Sequence, residues 1–280
     1  MSCEKFKDVR FKPASLRMLE ICAGIIKIYQ CITRNIIPNT ERSYKNLAKL
    51  VSEGRLAGML DWGAIEDRIR QPWSPSEFAS LKSLAEAALR SYRLPRWEGQ
   101  DNYVELWVEK DALAGVLRPL ASRFHATMCV NRGYSSQSAM YEAAGRFNSW
   151  QDKERVLLYL GDHDPSGEDM VRDIRDRMHM FGVENLEVRK LALTREQITQ
   201  YNPPPNPAKQ SDPRADAYRA EHGDSSWEVD ALPPEVLSQI ITDVFEELID
   251  REKMDAVVAR EERDKKELSA AVAKIVKKSR

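Results

Sequence analysis

No apolar run in this chain reaches the roughly 18 residues that a membrane-crossing helix needs. The first residues also lack the charged-then-apolar pattern of a secretory leader. Neither a membrane-spanning nor an exported protein is expected. Cysteine is scarce and scattered at Cys3, Cys22, Cys31 and Cys129, with no CxxC and no histidine at zinc spacing. That pattern excludes a disulfide scaffold and a zinc module. It predicts reduced, mostly buried thiols in a cytoplasmic, nucleoid-associated setting. Histidine is equally sparse: His125, His163, His179 and His222 show no triad spacing. The chain contains no internal repeat.

What is present describes an ordinary globular chain. Its 280 residues are 42% apolar and 31% charged, enough for a sizeable core and for one or two domains. A net charge of −1 conceals an asymmetry. Residues 1–100 carry 17 Lys+Arg against 11 Asp+Glu, whereas residues 101–280 carry 26 against 33. A basic first part suits contact with a polyanion, and an acidic remainder suits holding cations.

Residues 14–33 repeat apolar side chains around most of a helix, at Leu16, Leu19, Ala23, Ile26 and Ile32. A turn follows, in which Asn39 or Thr40 can cap a second helix over 41–56. On that helix Tyr44, Leu47 and Val51 are spaced to face a core. Arg42, Lys45 and Lys49 form a basic stripe on another side. Two helices joined by a short turn, the second basic, outline a helix-turn-helix; a merely solvated face has the same spacing. A further short helix is expected over 64–70 and an amphipathic one over 75–92. The Pro- and Gly-bearing stretch 94–99 places a domain boundary near residue 97.

Beyond that boundary, strands and helices alternate. Strands are expected over 103–108, 127–130, 155–160 and 186–191, with helices over 112–124, 138–150 and 165–180. This alternation predicts an α/β domain with a parallel sheet over 98–200. The Pro-rich stretch 202–207 reads as a long loop. Helical periodicity returns from 234 to the end, giving a C-terminal helical extension over 201–280.

Two of the strands end in carboxylates: the first stops at Glu109, the third at Gly161-Asp-His-Asp-Pro-Ser-Gly167. Reactive groups of parallel sheets gather just beyond the carboxyl ends of the strands. Glu109, Asp162 and Asp164 converging there would repel one another unless a divalent cation sat among them. Magnesium takes one or two carboxylates and keeps several waters, so Asp162 and Asp164 are candidate ligands. Glu109 is a candidate ligand or general acid/base. Asp164 before Pro165 equally suits a helix cap.

A strand ending in Glu, a glycine-bearing turn after the next strand, and a strand ending in DxD resemble the Toprim domain. The version at 161–167 is most similar to that of the type IIB topoisomerase (topoisomerase VI) A subunit and its relative, the meiotic double-strand-break transesterase. Asn131-Arg-Gly-Tyr134 stands where those proteins have a Lys-Gly turn. The helix carrying Tyr29 and the basic helix after it resemble their winged-helix domain, which would occupy 1–97. The family shows two adjacent tyrosines after an Arg-Asp pair, where this chain has Lys27-Ile-Tyr29.

The resemblance implies magnesium-dependent DNA strand cleavage, with manganese substituting. Glu109, Asp162 and Asp164 would hold the metal and Tyr29 would be the nucleophile. Arg42, Lys45, Lys49, Lys110 and Arg132 would lie along the DNA. It also implies a homodimer and, for complete topoisomerase activity, a separate ATPase subunit. Two other readings stay open. One is a hydrolytic Toprim endonuclease of the plasmid- or phage-defence kind. The other is a DNA-binding module whose acidic cluster sites only a structural cation.

Overall fold

A computed structural model of the chain describes residues 3–23, 36–38, 40–61, 75–131, 133–207 and 212–278, with only the backbone for 207 and 274–278. At its centre is a four-stranded parallel sheet: β1 (Asn102–Val108), β2 (Thr127–Val130), β3 (Glu154–Leu160) and β4 (Leu186–Ala192), in the order β2-β1-β3-β4. From residue 103 to 108 and from 155 to 160 every side chain of β1 and β3 is buried. Such burial on both faces is why these strands read as continuous apolar runs rather than alternating ones.

Helices cover the sheet: α4 (Asp111–Arg123), α5 (Gln137–Asn148), α6 (Pro165–Met180) and, after a loop region, α9 (Pro234–Leu248). Between α6 and α9 lie α7 (Arg195–Tyr201), the two-residue strands β5 (Asn206–Pro207) and β6 (Ser225–Ser226), and α8 (Ala215–His222). The C-terminal residues share the sheet's own core. Leu237, Ile241 and Phe245 are fully buried in one cluster with Trp107, Leu117 and Leu157. Phe245 stacks on Phe124 with centroids 4.6 Å apart. Each large side chain so buried contributes about 2 kcal/mol.

Before the sheet, the described residues form helices: α1 (Pro13–Ala23), α2 (Glu41–Leu56) and α3 (Leu81–Ser91). Thr40 caps α2 by accepting from the Ser43 amide at 3.2 Å. Leu19, Leu47, Val51 and Leu60 make a second, smaller core there. The expected helix over 75–92 begins only at Leu81, because Ser80 and Ser83 close a capping box at that point. The 64–70 helix lies outside the described residues.

The 94–99 segment is not a loose link, despite its Pro and Gly. Trp97 is buried, and Arg96 pairs with buried Glu261 of α10 (Arg251–Lys278) at 2.8 Å. Lys153 donates to the Trp97, Glu98 and Gln100 carbonyls at 2.6–2.8 Å. The thiols are less buried than their composition suggested: Cys3 is exposed, Cys22 and Cys129 are half-buried, and these three form no disulfide. Among the described residues, no helix is long and apolar enough to cross a membrane.

Candidate active site

The strand order fixes where the site falls. From β1 the chain crosses to β2 on one side and then to β3 on the other, so the direction of winding reverses between β1 and β3. In open α/β sheets, ligand crevices open at that reversal, outside the carboxyl ends of the strands. Glu109 follows β1 directly and Asp162 follows β3 by one glycine.

Two glycines allow the close approach. A Cβ on Gly161 would run into the ring of Tyr159, and a Cβ on Gly167 would collide with the Asp162 carbonyl oxygen. Freed of side chains there, the turn folds tightly over the strand end. The Glu109 amide donates to the Leu160 carbonyl at 2.8 Å, extending the β1–β3 ladder. The Glu109 carboxylate then reaches across: its Oε2 accepts from the Asp162 amide at 3.0 Å and from the Tyr159 hydroxyl at 3.2 Å. Burial and the Glu109 charge push the Tyr159 hydroxyl well above its ordinary range.

Asp162 has its own anchors. Its Oδ1 accepts from the Val229 amide at 2.8 Å, and its Oδ2 lies 3.2 Å from the Lys110 ammonium. Lys110 also meets Glu228 at 2.9 Å and Asp230 at 3.2 Å. One ammonium thus faces three carboxylates, with Glu109 beside them. Burial, then repulsion from Glu109 and Glu228, outweighs Lys110 and the Val229 amide and pushes Asp162 up to about 7. Burial works against the Lys110 charge, yet Asp162, Asp230 and Glu228 together hold its pKa above the ordinary value. The two upward shifts agree physically, because the lysine sees three anions while Asp162 sees one cation and two anions.

Asp164 heads the next helix. Its Oδ1 caps α6, accepting from the Gly167 amide at 2.7 Å and the Ser166 hydroxyl at 2.8 Å. His163 between them is buried, and its Nδ1 lies 2.5 Å from Glu168, which also accepts from Lys190 at 2.7 Å. Although burial opposes it, His163 and Lys190 hold the Glu168 carboxyl down at about 2. His163 exchanges both backbone hydrogen bonds with Trp227, at 2.8 and 2.9 Å. That bridge sets the register of the segment that follows, and so brings Glu228 and Asp230 to Lys110.

The structure therefore brings Glu109, Asp162 and Lys110 together and places Asp164 at the helix cap through its Oδ1. Lys110 pairs with the carboxylates of Asp162, Glu228 and Asp230. Arg42, Lys45 and Lys49 are exposed on α2, with Lys45 in an exposed pair with Glu41 at 2.7 Å. Tyr44 was expected in a core, but only Leu47 and Val51 are buried there. Tyr44 is half-buried near Lys110; burial, then the Glu228 and Asp230 charges, pushes its hydroxyl up to about 12. Tyr29 and Arg132 lie outside the described residues. Glu228 and Asp230 escaped the sequence reading; the available signal was a second acid-x-acid spacing, Glu-Val-Asp at 228–230.

Among the described residues, no group of three or more His, Cys, Asp or Glu side chains is arranged to hold a metal ion. The ammonium of Lys110 stands among the carboxylates instead. Magnesium asks less of a protein than a three-ligand cage, since one or two carboxylates and several waters suffice. The hard oxygen donors of Glu109 and Asp162 fit that chemistry.

No family model, no curated relative and no solved structure matches the chain.

Proposed function

We propose that the protein cleaves DNA strands in a magnesium-dependent reaction, as a Toprim protein similar to the topoisomerase VI A subunit. The observation that carries this reading is the pair Glu109 and Asp162. They come from adjacent parallel strands and are joined at 3.0 Å at the point where the sheet reverses its winding. Glu109 and Asp162 would hold the ion, with Asp164 behind them at the head of α6. Bound there, magnesium supplies a Lewis acid for a phosphoryl oxygen and offsets charge on the attacking or leaving oxygen.

The chain's own residues do the rest. Lys110 keeps Asp162 and Asp230 compatible with burial, pairs with Glu228, and presents positive charge toward an incoming phosphodiester. Glu109, held by the Tyr159 hydroxyl, is placed to accept or return a proton. The exposed Arg42, Lys45 and Lys49 of α2 would meet the DNA backbone, as the basic helix of a winged-helix domain. In the family resembled, the attacking group is a tyrosine from the other subunit of a dimer. Tyr29 is that candidate here, with a separate ATPase subunit as partner.

Denaturing-gel analysis of DNA incubated with the protein and magnesium or manganese tests the reading. Cut strands that carry covalently attached protein support Tyr29 as nucleophile. Cut strands free of protein mean that water attacks, as in hydrolytic Toprim endonucleases. Intact DNA rejects the enzymatic reading and leaves a DNA-binding module at most.

A further inference from the structure

One strand beyond Glu109 along the same sheet edge lies a cavity of about 410 Å3, lined in part by Asn131, Tyr134, Ser135, Ser136 and Arg146. Asn131 follows β2, and its amide donates to the Val108 carbonyl at 2.8 Å, so it stands beside the residue that precedes Glu109. The side chain is 5% exposed. Its Oδ1 accepts from the Ser135 hydroxyl at 2.6 Å, whereas its Nδ2 is buried and has no hydrogen-bond partner among the described residues. A buried donor without an acceptor is costly, and in a native protein it calls for an explanation.

The same cavity receives the start of α5, a helix of 12 residues. Ser136 caps that helix by accepting from the Ala139 amide at 3.1 Å, which leaves its hydroxyl proton to donate. The first amides of a helix have no partner within it, and they carry partial positive charge. Asn131 and the capping Ser136 thus line one space beside a helix N-terminus. Together they offer donors and no obligatory cation, the chemistry that receives an oxyanion. Arg146 on the wall is already spent on buried Glu105, at 2.7 and 2.9 Å, and Glu142 adds an exposed negative charge. A ligand with one negative charge suits such a wall better than a dianion.

We propose that this cavity is a phosphodiester subsite. It holds a neighbouring backbone phosphate of the strand whose reacting phosphate meets Glu109 and Asp162. Asn131 Nδ2 and the Ser136 hydroxyl donate to its non-bridging oxygens, at the positive end of α5. This inference rests on the nucleic-acid reading of the acidic site and adds to it the residues that set the strand's position.

The test measures binding separately from cutting. A short fluorescently labelled DNA duplex is titrated with the full chain in EDTA, where a metal-dependent reaction cannot proceed. Asn131→Asp keeps the size and the acceptor for Ser135 but replaces the donor with an anion. It should weaken binding about ten- to a hundredfold, the loss of a hydrogen bond to a charged group. Wild-type affinity in a folded Asn131→Asp protein overturns the inference, as does a wild-type protein that binds no duplex. Should the variant fold poorly, the wild-type protein answers alone. The Asn131 side-chain amide resonances, in 15N-labelled protein, should shift on addition of the duplex, and unmoved resonances overturn the subsite. Weakened binding by Asn131→Asp in a protein that cuts no DNA would remove the enzymatic reading while leaving the subsite in place.

Discussion

Replacing Lys110 by Met removes the ammonium that faces Asp162, Glu228 and Asp230. The methionine keeps much of the stem's volume, so the change is chiefly one of charge. Asp162 and Asp230 are 8% and 7% exposed, so their charges cannot simply be taken over by water. Breaking a buried pair by removing one partner costs about 3–5 kcal/mol. The Lys110 side chain is itself 22% exposed, which argues for the lower end, about 3 kcal/mol. At about 2–4 °C per kcal/mol, Tm at pH 8 should fall by about 6–12 °C.

The loss should also depend on pH, and its sign follows from Asp162. Its folded pKa of about 7 lies above the ordinary 3.8, so between those values the folded state binds more protons than the unfolded one. Asp162 therefore destabilises the fold progressively as pH rises from about 4, and fully above about 7. Without Lys110 that penalty deepens, because the counter-charge is gone. The variant should lie closer to wild type at pH 5.5 than at pH 8. Thermal melts of both proteins at the two pH values decide it. A Tm change of under about 2 °C at pH 8, or an equal loss at both pH values, would refute the central role given to Lys110.

Gly167→Ala puts a methyl group against the Asp162 carbonyl, so it should cost about 1–3 kcal/mol by calorimetry and displace Asp162. Glu105→Gln should cost about 3–5 kcal/mol in urea melts. It breaks the bidentate pair with Arg146 and sets an NH2 against the Tyr103 hydroxyl or the Trp107 indole, both of which donate to Glu105. A loss under about 1 kcal/mol would mean that water replaces Arg146 there. Replacing Arg42, Lys45 and Lys49 together by Ala should flatten the plot of log affinity for DNA against log salt by about 2–3 in slope. An unchanged slope would make that face of α2 merely solvated.

The parts of the fold that the sequence made legible are those in which one local signal decides. Residues 103–108 and 155–160 are unbroken apolar runs because both faces of a central parallel strand are covered. Asp164-Pro165 marks the start of α6 because the cap and the proline act within one turn. Glu109 and Asp162 were legible for a related reason, as carboxylates that end buried strands.

What stayed hidden depends on partners far away in the chain. Glu228 and Asp230 reach Lys110 only through the His163–Trp227 bridge, 64 residues apart in number, beyond a Pro-rich stretch with no periodicity of its own. Tyr44 keeps helical spacing with Leu47 and Val51, yet a core that ends at Leu47 leaves it toward the acidic cluster. Asp164 showed both possibilities in sequence, a ligand or a cap, and the 2.7 Å bond from the Gly167 amide to its Oδ1 shows the cap.

The most direct test of the proposed chemistry is strand cutting by Asp162→Asn. The substitution keeps the acceptor for the Val229 amide and removes the negative charge, and its melting curve confirms that the chain is folded. With magnesium and a labelled DNA duplex, the wild-type protein should produce cut strands on a denaturing gel, and folded Asp162→Asn should produce none within the same time. Equal cutting by the two proteins would contradict the assignment of the reaction to this site.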